Sequence, residues 1–276
     1  MQLKAHIKQI AVNKKISAQL VLQNYFLECL LERISKSKYK QNFIIKGGLL
    51  ISNLVGLDTR TTMDLDATVK GMTVSKDKIE EIFKDICMFQ DNNEIYFSFL
   101  RIEDIREKDC YPGLRVFLKA NYLPISVSLY VDITTGDAIT PKEIEYTYYS
   151  NYENKAIQIM AYNLETILAE KIETILSRGE ANTRQRDFYD IYILWKLYRN
   201  KCDINLLKEA LLNTINKRKS IIILAKYEDI IKKLYNSNDL KKFWNKYMNE
   251  YEYAKNISFN EICYNIEEIL NLIINI

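Results

Sequence analysis

The sequence predicts an α/β domain followed by a helical domain, and three observations carry that prediction. All three prolines, Pro112, Pro124 and Pro141, fall in the middle of the 276-residue chain. Six of the seven glycines lie at or before Gly136, which leaves only Gly179 beyond Pro141. Apolar residues alternate in short runs before Pro141 and recur at helical spacing after it. Breakers confined to one half mark a turn-rich mixed region, and their scarcity in the other half permits long helices. The boundary is placed at residue 160, giving domains 1–160 and 161–276.

The elements follow in order. Ser17 to Ser35 is a helix, with Leu20, Leu22, Phe26, Leu27, Leu30, Leu31 and Ile34 at helical spacing. Phe43 to Ile45 is a short apolar strand, and Leu49 to Val55 a helical turn after Gly47-Gly48. Met63 to Val69 alternates as a strand, with Met63, Leu65 and Ala67 on one face and Asp64, Asp66 and Thr68 on the other. Ser75 to Met88 is a helix with Ser75 as its N-cap. Strands are expected over Glu94–Ile102, Leu114–Ala120 and Ile125–Ile133, with turns at Pro112-Gly113 and Asn121–Pro124. Tyr146–Tyr149 and Ile157–Met160 are candidate edge strands. Helices are then expected over Leu164–Ser177, Arg186–Tyr198, Asn205–Asn216, Ile221–Tyr235, Leu240–Tyr251 and Phe259–Ile274.

Composition narrows the chemistry. The chain is 48% hydrophobic and 27% charged, which excludes a disordered or fibrous protein. Its net charge is only +3, so any nucleic-acid contact must come from a local patch. A single histidine, His6, argues against His-based zinc sites and histidine triads. Cys29, Cys87, Cys110, Cys202 and Cys263 have no short paired spacing, the pattern of a reducing compartment. The N-terminal segment lacks an apolar signal core, and no apolar run reaches the ~18–20 residues that span a bilayer. A cytoplasmic protein without membrane partners is expected.

Four groups of residues could carry chemistry. Gly47-Gly48 joins a strand to a helix, where glycines let a phosphate approach exposed N–H groups. A tight turn needs glycine anyway, so the pair alone is not diagnostic. Asp64 and Asp66 stand two apart on one strand face, roughly 6.5–7 Å between Cα atoms. Two such charges repel unless a cation intervenes, and hard oxygen ligands suit Mg²⁺ bound with a triphosphate. A solvated edge strand is the plainer explanation of the pair. Asp132 ends the polar face of Ile125 to Asp132 and would complete a metal-binding trio if its strand lay beside that of Asp64 and Asp66. Otherwise it is a strand-end residue before a turn. Lys171 lies in an apolar helix, where lysines commonly snorkel, and Asp187 and Asp190 share a face of the next helix. Acidic residues in a first helical turn are expected from the helix dipole alone.

Together these motifs resemble the AbiEii/AbiGii-type nucleotidyltransferase toxins. Lys46-Gly47-Gly48-Leu49 through Arg60-Thr61-Thr62-Met63-Asp64-Leu65-Asp66 is similar to the family's first motif, and Val131-Asp132-Ile133 to its second. Lys171 in Ala169-Glu170-Lys171-Ile172 resembles the third, and Arg186-Asp187-Phe188-Tyr189-Asp190 the fourth. The resemblance runs from about Leu20 to Tyr198. Leu49 departs from the pattern, which has Ser or Thr after the glycine pair, and so removes one expected phosphate contact.

The resemblance implies a polymerase-β-like nucleotidyltransferase domain with a mixed sheet and a helical C-terminal domain. It implies a toxin of an abortive phage infection, type IV toxin–antitoxin system. Its antitoxin would be a DNA-binding regulator that need not form a stable complex with it. The reaction would be Mg²⁺-dependent transfer of a nucleotide from a triphosphate, GTP or a pyrimidine nucleotide, to the 3′ end of tRNA. Gly47, Gly48, Arg60 and Thr62 would bind phosphate, and Asp64, Asp66 and Asp132 would hold metal. Lys171 would contact the triphosphate, and Asp187 or Asp190 would complete the site. Lys46, Arg60, Arg184 and Arg186 are candidates for a local basic surface. Two alternatives stay open: the same fold acting on a protein or small-molecule hydroxyl, and a non-catalytic nucleotide-binding partner.

Overall fold

A computed structural model describes residues 3–89, 94–105 and 113–274. The chain divides into two compact units. Unit 1 comprises Met1–Asp137 and Glu143–Tyr162, and unit 2 comprises Ala138–Lys142 and Asn163–Ile276. The short Ala138–Lys142 segment thus joins the helical half although it precedes the last strands of the sheet.

Unit 1 opens with helices α1 (Leu3–Lys14) and α2 (Ala18–Lys36), the second capped by the Ser17 side chain. Strand β1 (Phe43–Lys46) runs directly into helix α3 (Gly47–Val55). Strand β2 (Leu65–Val69), helix α4 (Lys76–Met88) and strands β3 (Tyr96–Ile105), β4 (Gly113–Tyr122), β5 (Ile125–Thr135), β6 (Ile144–Tyr149) and β7 (Ala156–Ala161) follow. The described strands form one sheet in the order β3-β4-β5-β2-β1-β7-β6. It is mixed: β2 pairs parallel with β5 and β1 parallel with β7, and the other pairings are antiparallel. The parallel pairs need long connections, and the chain supplies them through α4 with the β3–β4 ribbon and through the run from β1 to β7.

Burial follows the pleat. Leu65 and Ala67 on β2 and Leu129, Val131 and Ile133 on β5 are inaccessible. Against one another pack Phe43 and Phe83, their rings edge to face with centroids 5.8 Å apart. The α2 stripe of Phe26, Leu27, Leu30, Leu31 and Ile34 is buried as its spacing requires.

Unit 2 is built of helices α5 (Leu164–Arg178), α6 (Gln185–Tyr198), α7 (Ile204–Arg218), α8 (Ile222–Ala225), α9 (Tyr227–Asn236), α10 (Asn238–Glu250) and α11 (Phe259–Ile274). Asn163, Asp203 and Ser237 cap α5, α7 and α10 with their side chains. Its core gathers Leu168, Ile172 and Ile175 of α5, Phe188 and Leu194 of α6, Leu211 of α7 and Ile262, Ile266 and Ile269 of α11. None of the helices among the described residues is long and apolar enough to cross a membrane.

Four expectations need correction. The strand expected from Met63 starts at Leu65, and Met63 is 49% exposed instead of sharing the buried face. The helix expected over Ile221–Tyr235 is two helices, because Lys226 leaves helical geometry at φ −120°, ψ 8° between them. Strand β7 is not an edge but lies between β1 and β6. Strand β5 continues to Thr135, so Asp132 is interior to its strand. Cys29, Cys87, Cys202 and Cys263 are free thiols, while Cys110 and Pro112 lie outside the described residues.

Candidate active site

The β1–α3 junction is a backbone turn that only glycine can make here. Gly47 sits at φ +65°, the left-handed region, directly after an extended Lys46. A Cβ at Gly47 would fall 2.1 Å from Asp66 Oδ2, and one at Gly48 would fall 2.4 Å from Thr62 Oγ1. The glycines therefore do more than turn the chain. They let the Asp66 carboxylate and the Thr62 hydroxyl come up against the N-terminus of α3, whose first N–H groups have no helical acceptor.

Asp64 stands just ahead of β2 and is held from two directions. Its Oδ1 accepts from the Thr62 hydroxyl at 2.8 Å. The backbone leading to it is tied to α2, where Asn24 Nδ2 donates to the Thr62 carbonyl at 2.6 Å and Gln23 Nε2 to the Met63 carbonyl at 2.6 Å. Both amides are buried. They were not anticipated, yet the sequence carries a signal: two amides interrupt an otherwise apolar helix stripe, and a buried amide needs a partner.

The register places four ionic side chains in one row across the sheet. Lys46 on β1 pairs with Asp66 on β2, Asp66 with Asp132 on β5, and Asp132 with Arg115 on β4. Directly paired residues share a face. The condition set for Asp132, that its strand lie beside that of Asp66, is met. Arg115 binds Asp132 with both arms, Nε to Oδ1 at 2.7 Å and Nη2 to Oδ2 at 2.7 Å. The Asp132 hydrogen bonds hold the Arg115 guanidinium charge above its ordinary range, with further help from the charges of Asp132, Asp64 and Asp66. Arg115 was missed in the sequence. The β4–β5 hairpin pairs Tyr122 with Ile125, and counting back from that turn sets Arg115 opposite Asp132.

One row further along, Thr68 and Thr134 are register partners and meet Asp137 from the turn after β5. Asp137 accepts from Lys46 Nζ at 2.5 Å, from Thr134 at 2.6 Å, from the Thr68 hydroxyl and, at 3.3 Å, from the Tyr162 hydroxyl. Burial pushes its pKa up, but the Lys46 charge and these donors outweigh burial and bring it down to about 2. Lys46 is thereby committed inside the fold and is not part of a surface basic patch. Arg60 is corrected in the same way: it is 2% exposed and donates to the Thr61 carbonyl. With Thr62, 1% exposed, it supports the glycine turn from within, so neither belongs to an open phosphate-binding surface.

Unit 2 holds a second ionic cluster. Lys171 on α5 reaches Asp187 Oδ1 at 2.6 Å and Asp190 Oδ2 at 2.8 Å, both on α6. The lysine does not snorkel; it bridges two helices. Asp190 is fully buried, and Asp187 Oδ2 is buried with no hydrogen-bond partner, though Arg184 Nε stands 3.8 Å away. Arg184 is half exposed, whereas Arg186 is partly covered and donates to the Tyr251 hydroxyl at 3.3 Å.

A Mg²⁺ ion in unit 1 would have to rest on a carboxylate pair. Among the described residues no group of three His, Cys, Asp or Glu is arranged to hold an ion. Mg²⁺ needs no such cage, since one or two carboxylates with substrate phosphates and water suffice. Asp64 and Asp66, near the N-terminus of α3, have the donor chemistry for that role.

Comparisons with known proteins bear on the fold and the family. A crystal structure of a candidate nucleotidyltransferase from H. pylori superposes with a TM-score of 0.52 at 15% identity, covering 94% of this chain and 98% of that one. The crystal structure of JHP933 from Helicobacter pylori gives a TM-score of 0.50 at 15% identity, covering 94% and 95%. At such identity these likenesses speak for the fold. No curated protein matches the chain in sequence. The family profile "Nucleotidyl transferase AbiEii toxin, Type IV TA system" matches residues 29–269, which takes in both ionic clusters and most of both units. The chain belongs to the AbiEii nucleotidyl transferase toxin family of type IV toxin–antitoxin systems.

Proposed function

We propose that this toxin uses Mg²⁺ to transfer a nucleoside monophosphate from a triphosphate to the 3′-hydroxyl of an RNA, the acceptor end of tRNA. The observation that carries the reading is the close approach of Asp66 to the Gly47 turn, possible only because Gly47 has no Cβ. A carboxylate that close to a helix N-terminus supports a site shared by phosphate and metal. Asp64, oriented by Thr62, is the second metal-holding group.

The first N–H groups of α3 would receive phosphate oxygens, aided by the helix dipole. Asp64 and Asp66 would hold Mg²⁺, which supplies charge stabilisation at the α-phosphate and favours the ionised hydroxyl. The 3′-oxygen forms a bond to the α-phosphorus, and the bond from that phosphorus to the bridging oxygen breaks. Pyrophosphate leaves with the electron pair, and the hydroxyl proton passes to water. Membership of a toxin–antitoxin family implies an antitoxin. A DNA-binding regulator encoded beside the toxin is the partner we expect.

The test is label transfer from each α-labelled triphosphate to total tRNA, run with Asp64→Ala/Asp66→Ala as control. Label on tRNA that disappears in the control is expected, and the labelled nucleotide names the base. Label on the protein would move the acceptor to a side chain. If no RNA is labelled with any triphosphate, the reading is wrong.

A further inference from the structure

In the row Lys46–Asp66–Asp132–Arg115, Asp132 is the carboxylate that Arg115 holds. Both oxygens of Asp132 are engaged by one guanidinium at 2.7 Å, the fork-to-fork geometry that arginine makes best. The Asp132 side chain is 11% exposed while that of Arg115 is 38% exposed. The acid is sunk into the sheet, and the cation stands at the open side of the row. The neighbouring carboxylates Asp64 and Asp66 act on the Arg115 charge as well.

We infer that Asp132 is not a metal ligand but the anchor of Arg115, and that Arg115 is a built-in cation of the site which binds the triphosphate beside a single metal held by Asp64 and Asp66. The inference rests on the nucleotidyltransferase reading and deepens it. In the transfer described above, negative charge grows on the departing pyrophosphate as its bond to the α-phosphorus breaks. A guanidinium offsets that charge without being consumed, and it exchanges no proton. Arg115 is then a catalytic residue and Asp132 a positioning residue. A cross-strand ion pair with no such role would act on stability alone. That plain alternative predicts no effect on ligands.

The experiment measures Mn²⁺ binding by paramagnetic resonance, with and without a non-hydrolysable triphosphate, on the full chain and on D66N, D132N, R115A and R115K. Triphosphate and monophosphate affinities are measured in parallel, and thermal unfolding confirms that each variant is folded. D66N should weaken Mn²⁺ binding by about tenfold or more, whereas D132N should keep it within about twofold. R115A should lose about tenfold or more in triphosphate affinity with monophosphate affinity unchanged, and R115K should recover part of the loss. R115A should also bind Mn²⁺ more tightly without nucleotide, because Asp132 is released to act as a third ligand. Loss of Mn²⁺ in D132N as severe as in D66N would overturn the inference, and so would an unchanged preference for triphosphate in R115A. Should R115A fail to fold, R115K and D132N carry the same two comparisons. A wild-type chain that binds neither Mn²⁺ nor triphosphate would instead refute the nucleotidyltransferase reading itself, and the inference with it.

Discussion

Single residues in unit 1 carry demands that can be stated as energies. Gly47→Ala forces a side chain into the left-handed region, at ~1–2 kcal/mol, and drives its Cβ into Asp66. The larger effect falls on function, because Asp66 must move. A displacement near 1 Å can cost about 100-fold in rate, so a loss of that order is expected in label transfer from a chain that still folds. Asp137 supplies a second test, in pH. It is surrounded by Lys46, Thr68, Thr134 and Tyr162, and its pKa of about 2 lies below the ordinary 3.8. A depressed carboxylate stabilises the fold fully above its unfolded pKa and loses that contribution as pH falls through its folded pKa. The contribution is on the order of 2 kcal/mol and fades between about pH 4 and pH 2. Asp137→Asn removes this pH-dependent part, so the slope of stability against pH over that window should flatten in denaturant titrations. An unchanged slope would show that the network does not hold Asp137 ionised.

At the scale of elements, most helices were legible, though α1 and the break at Lys226 were not, and the ionic partners were legible least. Periodicity and capping placed α2, α4 and α11 to within a residue or so, because an apolar stripe and an N-cap are local features. The carboxylates Asp64, Asp66 and Asp132 could be picked out because charge on an alternating strand is conspicuous. What decides their roles is non-local. Asn24 reaching Thr62 and Lys46 reaching Asp137 join segments that the sequence does not order in space, whereas Arg115 reaching Asp132 follows from the hairpin register once the turn is fixed. The α5–α6 pair shows the same limit: snorkelling was a fair expectation for Lys171, and only the packing of two helices brings both aspartates to it. That geometry predicts a large stability effect. Lys171→Met leaves two buried carboxylates without their cation, a loss of about 3–5 kcal/mol by denaturant unfolding. Adding Asp190→Asn should restore part of it. If Lys171→Met leaves stability unchanged, the cluster is not structural, and its presence in the third and fourth motifs speaks for chemistry alone.

Over the whole molecule the charge is divided unevenly. Unit 1 has 20 basic and 20 acidic residues, whereas unit 2 has 19 basic and 16 acidic. Several of these are spent on internal pairs: Lys46 on Asp137, Arg115 on Asp132, Lys171 on Asp187 and Asp190, and Arg218 on Glu173. A net charge of +3 gives little bulk attraction for RNA, so an RNA substrate is expected to be gripped by a local patch through few phosphate contacts. With three or four of them, and a slope of about −0.7 per contact for single strands, a fourfold rise in salt should weaken tRNA binding by about 30-fold. Filter binding between 50 and 200 mM salt measures this directly. A much steeper loss would mean more phosphate contacts than a small local patch supplies. No salt dependence at all would mean that the acceptor is not a polyanion, and the protein or small-molecule hydroxyl would then become the better substrate class for the same carboxylate pair.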